Sequence, residues 1–476
     1  MSSSETRKET KDMQLDELTK KRLIRLISLI LIFAVMNGTM FNVAIPDIQS
    51  YFDLSSSEVS WVLTGYIMVY AVGALLYGKL ADYYPIKSIL TFGITLFSLG
   101  SLLGFFSPNF FTLIIARILQ AAGGATIPAL GFVIPARFFP QERGKIFGVI
   151  SSTVAFASGA GPIVGGTVGG WFDWRFLFLF SVASIFALPF LRRWVPEENS
   201  KKGSIDFIGA GLFSGAAASL LLFVTTLVYW LPFLFAVFTG LFIWRTIKAN
   251  EPFIRPDILK NKYYTVTILT SFLGTSVLFG LLFVIPIMLR QLYDMSTLGI
   301  GMVLFPGAII AGFLGRLGGE LVERRGGEFV VVLALCLLGG GSFLISTFAG
   351  YAPWVVALAL LVTYIGFPLI QSSTANILSS ILSLRETGVG IGIFNLLNFM
   401  AGAVSSAVFG AVLEFKNVSL TLNPLSKHGD NIIFSNLYIC LVLVAAAALT
   451  LFLITFKNRP DTFHRAASKP EPSEVH

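Results

Sequence analysis

Charged residues are scarce in this 476-residue chain, where Asp, Glu, Lys and Arg together make up only 13%. Soluble domains carry about a quarter charged residues. Hydrophobic residues make up 55%, which is too much apolar surface for a protein that faces water on all sides. The composition therefore excludes an ordinary soluble protein and indicates that the chain folds in a lipid bilayer.

Cysteine and histidine are also rare, and their positions exclude several kinds of chemistry. Cys336 and Cys440 lie in apolar segments without a CxxC or Cys/His spacing, so no disulfide framework and no metal site is expected. The three histidines, His428, His464 and His476, fall in a loop or the C-terminal tail. Without an HExxH motif or paired carboxylates inside a span, the chain is not expected to be an enzyme.

A cleavable leader is not indicated. Residues 1–25 are polar and contain seven Lys or Arg, but the apolar run 26–46 has no small-residue cleavage site and is long enough to cross a bilayer. It is therefore predicted to be a retained first helix.

Apolar runs of at least about 17 residues predict fourteen transmembrane helices. Their predicted ranges are 26–46, 59–78, 89–106, 111–134, 146–168, 175–191, 207–228, 230–247, 264–287, 297–315, 329–348, 354–376, 388–412 and 432–456.

The distribution of basic residues supports this number and orients the chain. With both termini in the cytoplasm, 29 of the 34 Lys and Arg are cytoplasmic, four are outside, and only Arg117 lies inside a span. An odd number of helices would break this pattern. The net charge of +8 is thus explained by topology, so no nucleic-acid partner is expected. A channel is also not expected, because the sequence contains no re-entrant segment of the kind that forms a selectivity filter.

An internal repeat divides the chain. Gly78-Lys79-Leu80-Ala81-Asp82 after helix 2 matches Gly319-Glu320-Leu321-Val322-Glu323 after helix 10 at an offset of 241 residues. The offset predicts a 6+2+6 arrangement. The predicted divisions are a cytoplasmic tail 1–23, a six-helix bundle 24–195, a linker with two inserted helices 196–262, a second bundle 263–456 and a cytoplasmic tail 457–476.

Three motifs carry a family resemblance. They are Gly78 to Asp82 after helix 2, Arg117 with Gln120 in helix 4, and Gly161-Pro162 with Gly165 and Gly166 in helix 5. Together they resemble the major facilitator superfamily, and within it the fourteen-helix drug:proton antiporters, especially the Gram-positive tetracycline-efflux group and its multidrug relatives. The resemblance runs from about residue 24 to 456. It implies an all-α transporter in the plasma membrane of a Gram-positive bacterium, with a proton gradient rather than a cofactor as its energy source.

Several motif residues are expected to act in gating. Asp82 and its repeat partner Glu323, followed by Arg324, lie at cytoplasmic helix ends, where a carboxylate can accept hydrogen bonds from a neighbouring helix N-terminus. The alternative is a solvated loop acid. The chain departs from the family loop at Tyr83, Tyr84 and Pro85, where a basic residue and a glycine are usual.

Helix 5 is the second predicted conformational element. Gly161, Gly165 and Gly166 repeat small surfaces on one face, and Pro162 removes a backbone donor. The resemblance implies that this helix bends during export, whereas spacing alone fits ordinary small-residue packing in lipid equally well.

Carboxylates are missing from the middle of every span. The tetracycline-efflux relatives carry acidic residues in helices 1, 5 and 13, and this chain has Gly38, Ser158 and Gly402 at the matching positions. Many drug antiporters place an Asp where this chain has Asn37. Either Asp82, Glu323 or another edge carboxylate couples transport to protons, or the protein is not a standard proton antiporter.

The central cavity is accordingly expected to be aromatic, rich in amides and positive because of Arg117, or else Arg117 reaches the outer surface. The predicted lining residues are Asn37, Asn42, Tyr66, Tyr70, Arg117, Gln120, Phe156, Ser158, Gln371, Asn395 and Asn398, with Tyr364 as a further candidate. Any of the polar ones can instead form interhelical hydrogen bonds.

This cavity favours a small amphiphilic substrate that is neutral or anionic. The leading hypothesis is a monomeric exporter that works by alternating access. The alternative is an exporter or flippase of an endogenous anionic amphiphile such as a fatty acid or lipid.

Overall fold

The computed structural model describes residues 16–54, 56–198, 206–226, 228–249, 251–295, 297–383, 386–413, 420–426 and 432–457. Within these ranges the ordered elements are helices, and no strand occurs. The prediction of an all-helical membrane protein is confirmed.

Fourteen helical elements follow one another along the chain. They are α1 (Glu17–Phe52), α2 (Ser56–Ala81), α3 (Ile86–Phe105), α4 (Phe110–Phe138), α5 (Arg143–Trp171), α6 (Phe176–Trp194), α7 (Phe207–Thr226), α8 (Leu231–Lys248), α9 (Lys262–Tyr293), α10 (Thr297–Arg325), α11 (Gly327–Phe348), α12 (Pro353–Ile381), α13 (Thr387–Leu413) and α14 (Ile432–Phe456), with a short helix Pro256–Lys260 before α9.

Thirteen of these helices are long and apolar enough to cross a membrane. The remaining one, α10, bends by 45° between Gly299–Gly315 and Leu317–Arg325. Counted as one bent span, α10 gives the fourteen spans predicted from the sequence.

The first helix is longer at both ends than its apolar run. It begins at Glu17, because the side chain of Asp16 caps it by accepting a hydrogen bond from Thr19 N. It ends at Phe52, where Asp53 adopts a left-handed conformation (φ 50°) and closes the last turn. Hydropathy detects only the part of a helix that lies in lipid, so it misses these polar end turns.

Two spans are internally broken. In α4 the helix is interrupted at Ala125, between Gly124 and Thr126. A methyl group on Gly123 would lie 2.2 Å from Phe97 N, so the small residue allows α4 to approach the backbone of α3. In α6 a 3₁₀ turn, Ala183–Ala187, separates two short α-helical segments.

Helices α1–α6 and α9–α14 form two bundles that meet mainly through two helix pairs. Helix α2 packs along α13, and α5 packs along α10. These pairs are equivalent under the 241-residue repeat. The turns that follow α2, α4, α8 and α10 all lie at the end of the molecule that carries Lys87, Arg143, Lys260 and Arg325, called here the basic end.

The inserted hairpin of α7 and α8 lies at the periphery. Helix α7 packs on α2 and α13, whereas α8 packs on α7 and has only 6% of its residues buried. Tyr229, between the two helices, is 90% exposed. Asp206 holds the hairpin together by capping α7 at Gly209 N and pairing with Arg245 of α8 at 3.1 Å.

Candidate functional site

A cavity of about 480 Å³ lies between the two bundles. Its walls come from α1, α2, α4 and α5 on one side and from α9, α12 and α13 on the other, with Leu221 of α7 also in the lining. The volume falls in the range of sites for drug-sized molecules.

Seven residues predicted to line the cavity do so in the structure. They are Asn42, Tyr66, Tyr70, Ser158, Gln371, Asn395 and Asn398. The three positions where the relatives carry acids, Gly38, Ser158 and Gly402, all lie in the lining as well. No Asp, Glu, Lys, Arg or His is present among the lining residues of the described chain.

Phe156 and Tyr364 lie elsewhere. Phe156 faces a separate pocket of about 200 Å³ against Gly312 of α10. Tyr364 is 1% exposed and packs over Gly307 in the core of the second bundle. Both are aromatic residues of cavity helices, but they point away from the cavity, and hydropathy cannot distinguish the two faces of an apolar helix.

Arg117 is also outside the lining, contrary to the expectation that its charge faces the cavity. The side chain is 1% exposed. Its guanidinium donates to Asn37 Oδ1 (2.9 Å), Gln120 Oε1 (2.6 Å) and Val62 O (3.2 Å). Within the described residues, Nη2 has no hydrogen-bond partner and no carboxylate pairs with the side chain.

Aromatic rings complete the environment of Arg117. Its Cζ lies 4.2 Å from the ring centroid of Phe41 and 4.0 Å from that of Tyr66. Such cation–π contacts are strongest where the cation is desolvated. Because Tyr66 lines the cavity and contacts Arg117, it is the direct link between the buried charge and the cavity surface.

Asn37 and Gln120 extend this network instead of lining the cavity. Asn37 Nδ2 donates to Ser181 Oγ of α6 at 2.6 Å, and Gln120 Nε2 donates to Ser101 Oγ of α3 at 2.7 Å. The first bundle thus has a polar core that joins α1, α2, α3, α4 and α6 around one cation. The charge of Arg117 inside a span was visible in the sequence, but its partners are neutral amides and rings that carry no sequence signature.

The second bundle contributes an uncharged polar cluster to the cavity wall. Gln371 Nε2 donates to Thr275 Oγ1 (2.9 Å), and Asn398 Nδ2 donates to Gln371 Oε1 (3.3 Å). Asn398 Oδ1 accepts from Ser271 and Thr275, both at 3.0 Å. Sequence reasoning identified the two amides but missed Ser271 and Thr275, since hydroxyls are common in buried helices.

Asp82 forms a contact between the bundles at the basic end. Its carboxylate accepts from Gly388 N (2.9 Å) and Val389 N (3.1 Å), the first turn of α13. A carboxylate at a helix N-terminus is favoured by the unpaired N–H groups and the helix dipole. Gly78 allows the approach, because a methyl group there would lie 2.4 Å from Gly388 O.

Glu323 occupies the equivalent place in the second bundle. Its Oε1 accepts from Lys145 N (2.9 Å) in the first turn of α5. Gly319 likewise approaches the backbone of that turn, with an added methyl 2.6 Å from Gly144 O. The two contacts, called here the Asp82 latch and the Glu323 latch, together hold the bundles against each other at the basic end. Arg324, next to Glu323, is exposed.

The loop after α2 lacks the basic residue that is usual in the family, but Arg137 of α4 lies beside Asp82 instead. Arg137, at the end of α4, lies 3.6 Å from Asp82 and also contacts Ala81 O (2.8 Å) and Glu198 (3.3 Å). Burial raises the pKa of Asp82 to about 6, outweighing the opposite effects of Arg137 and of the two N–H donors. Sequence reasoning missed Arg137 and Glu198, since they come from elsewhere in the chain.

The glycines of α5 pack against α1. A methyl group on Gly161 would overlap Thr39 Oγ1, and one on Gly165 would lie 2.3 Å from Met40 O. Pro162 and Gly166 are half-buried. Close α1–α5 contact therefore accounts for two of the three glycines.

Alanine at Gly165 is expected to destabilise the first bundle, because the added methyl meets backbone on α1 that cannot move aside. Overpacking of this kind costs about 1–3 kcal/mol. Gly169, one turn further along, has open space around its Cβ position, so Gly169→Ala is the matched control. Thermal unfolding of the purified protein should show a lower midpoint for Gly165→Ala only. Equal midpoints for the two variants would contradict the packing.

Comparisons with known proteins agree with this architecture. A family model described as Major Facilitator Superfamily matches residues 27–406. The chain is 25% identical over 425 residues to an uncharacterized MFS-type transporter, YvkA, of Bacillus subtilis, covering 86% of this chain and 95% of that protein. It is 26% identical to the riboflavin transporter RibZ of Clostridioides difficile, with 86% and 91% covered.

Two further similarities are more distant. The lincomycin resistance protein LmrB of Listeria monocytogenes is 24% identical over 389 residues, which cover 79% of this chain and 82% of that protein. Among solved structures, the human organic anion transporter MFSD10 (TETRAN) has the same fold, with a TM-score of 0.68, 15% identity, and coverage of 91% of this chain and 99% of that one.

Proposed function

The chain belongs to the major facilitator superfamily of membrane transporters, and we propose that it exports small uncharged amphiphilic molecules by alternating access. The observation that carries the proposal is the cavity between the bundles, whose described lining is aromatic and amide-rich without an Asp, Glu, Lys, Arg or His. A charged substrate would lose its hydration there without gaining an ionic partner.

The two latches support the transport mechanism. They join the bundles at the basic end while the cavity reaches Asn42, Thr64 and Ser406 in the opposite halves of their helices. The positive-inside rule places the basic end in the cytoplasm. In this conformation the cytoplasmic gate is closed, and release of both latches with rocking of the bundles opens the cavity to the cytoplasm.

Relatives support small organic substrates in general. One is named for riboflavin transport and another for lincomycin resistance. Proton coupling remains part of the proposal through Asp82, which is the buried carboxylate at the gate. A flippase of an anionic amphiphile is less well supported, since no cation lines the described cavity.

Transport by purified protein in proteoliposomes tests the proposal. The panel contains size-matched neutral, cationic and anionic amphiphiles, including a long-chain fatty acid, each measured with and without an imposed pH gradient. Neutral compounds should be moved fastest, and acceleration by the gradient would show proton coupling. Faster transport of the fatty acid would favour the flippase, and faster transport of cations would overturn the proposal.

An added carboxylate in the cavity should change charge selectivity. Gly38 lines the cavity, and its Cβ position is 3.7 Å from the Tyr66 ring, so an added Cβ atom makes no clash there. Gly38→Glu is expected to increase cation recognition by about tenfold or more and to weaken anion binding.

The neighbouring variant Asn37→Asp is the matched control. Its carboxylate would pair with Arg117, which already contacts Asn37 Oδ1 at 2.9 Å outside the cavity. It should therefore leave selectivity unchanged. Competition of cationic and neutral compounds for transport measures both variants, and identical selectivity of the two would contradict the placement of Gly38 and Asn37.

A further inference from the structure

We propose that the amide pair Gln371–Asn398 binds the imide edge of a planar, uncharged heteroaromatic substrate. The inference rests on the proposed function, because it specifies the class of molecule that the same cavity accepts. It follows from the hydrogen-bonding capacity that the pair retains.

Each amide nitrogen of the pair keeps one free N–H. Gln371 Nε2 uses one hydrogen for Thr275 Oγ1, and Asn398 Nδ2 uses one for Gln371 Oε1. Each NH₂ group has two hydrogens and each amide oxygen has two lone pairs. Within the described residues, one N–H on each side chain and one lone pair on Gln371 Oε1 therefore remain without a partner.

These free positions have a fixed order. Gln371 Nε2 and Oε1 share one carbon, and Asn398 Nδ2 is bonded to that oxygen at 3.3 Å. Along these hydrogen-bonded atoms the groups therefore run donor, acceptor, donor. The complement of this order is acceptor, donor, acceptor, which is the pattern of a cyclic imide, where an N–H stands between two carbonyl groups.

The orientation of the pair is fixed by its neighbours. Asn398 Oδ1 accepts hydrogen bonds from Ser271 and Thr275, so its oxygen faces the hydroxyls of α9. Gln371 and Asn398 are 6% and 8% exposed and both line the cavity. Donors buried to this extent need an acceptor, because an unsatisfied one costs about 1–3 kcal/mol.

Aromatic rings beside the pair suit a flat molecule. Phe399, the next residue after Asn398, meets the ring of Tyr70 edge-on at 4.8 Å, and Tyr70 stacks on Tyr66 at 5.4 Å. All three line the cavity. An uncharged ring system can pack against these faces while its imide edge reaches the amides.

Binding of lumiflavin and its N3-methyl derivative tests the proposal. Lumiflavin is a flat, uncharged, fluorescent imide, and in the N3-methyl derivative a methyl group replaces the central donor of the edge. The intact protein in lipid nanodiscs should bind lumiflavin at least tenfold more tightly than N3-methyl-lumiflavin. In Gln371→Met and in Asn398→Leu the two flavins should bind with about equal affinity.

The control variant is Ser342→Ala. Ser342 is buried on α11 outside the cavity lining, and its hydroxyl donates to Leu338 O of its own helix, so the variant should keep the preference. Thermal unfolding midpoints establish that each variant is folded. If Gln371→Met fails to fold, the ratio of the two ligands on the native protein still decides.

The outcomes separate this inference from the proposed function. Equal binding of the two flavins, or no binding of either, overturns the imide site even when other neutral amphiphiles are transported. A preference that persists in both amide variants also overturns it and leaves the pair as a tie between α12 and α13. Failure of all neutral transport instead overturns the proposed function.

Discussion

Replacement of Arg117 by alanine is expected to abolish transport. The variant leaves the acceptors on Asn37, Gln120 and Val62 without their donor and opens a space between the rings of Phe41 and Tyr66. Leaving buried polar groups unsatisfied costs about 1–3 kcal/mol each. Because Tyr66 lines the cavity, the defect reaches the substrate path directly.

Two further variants separate the charge of Arg117 from its volume. Lysine keeps the charge but not the planar fork that reaches three acceptors, so Arg117→Lys should recover only part of the activity. Methionine fills much of the volume without charge, so Arg117→Met should fold and remain inactive. Transport rates normalised to membrane abundance measure all three. Substantial activity in Arg117→Met would show that the guanidinium only fills space.

Loss of the Asp82 charge is expected to have the second largest effect. Asparagine at position 82 keeps the size but removes the charge that contacts the α13 N-terminus and Arg137. Like the protonated carboxyl, whose pKa burial raises to about 6, asparagine carries no charge that must lose its hydration when the gate closes, so the closed gate is favoured. Opening then becomes less frequent, and transport should fall about tenfold at normal membrane abundance.

Glu323→Gln is the matched variant in the other bundle. Glu323 is exposed and accepts one backbone hydrogen bond, whereas Asp82 is buried and accepts two. Its effect should be about twofold. Undiminished transport in both single variants and in the double variant would remove the latches from the mechanism.

The Asp82 latch should also respond to pH. Its pKa is about 6 while the gate is closed, and near 3.9 once the carboxyl is released into water. The closed state therefore binds the proton more tightly, so the closed fraction should rise as pH falls from 7 through 6 and towards 4. Spin-label distances across the basic end measure this fraction. The response should disappear in Asp82→Asn, and opening at low pH would contradict it.

The sequence predicted the architecture because lipid imposes strong rules on spans and charges. The number of helices, the pairing of the repeated helices and the peripheral position of α7 and α8 follow from hydropathy, basic loops and one repeated motif. The repeat locates Asp82 just after the end of α2, and from this position a contact with the N-terminus of a neighbouring helix could be predicted. The ends of α1 could not be predicted, since Asp16 and Asp53 act through backbone capping outside the apolar run.

Side-chain direction limited the prediction of the cavity. Arg117 is one residue whose rotamer decides between the cavity and the bundle core, and a sequence does not encode which neutral groups surround it. The contacts of the gate could not be predicted for the same reason, since Arg137 reaches Asp82 from α4 and Glu198 contacts Arg137 from beyond α6. Amides such as Gln371 and Asn398 were correctly placed on cavity helices, but their bonds to each other and to Thr275 appear only in the fold.

Protection of a single cysteine in the cavity tests most directly that this space is the substrate path. Cys336 and Cys440 both lie outside the cavity lining. In a chain with both replaced by serine, Ser406→Cys introduces one thiol in the lining. A neutral maleimide should label it, inhibit transport, and be slowed by a transported neutral amphiphile.

The same amphiphile should leave labelling unchanged in a control chain in which Cys336 and Cys440 are replaced by serine and Tyr229→Cys is introduced, because Tyr229 is 90% exposed in the turn between α7 and α8 and lies outside the cavity lining. Slower labelling of Ser406→Cys alone is the result that the account predicts. Labelling of Ser406→Cys that neither inhibits transport nor is slowed by substrate would contradict it, because substrate would then cross the protein without entering this cavity.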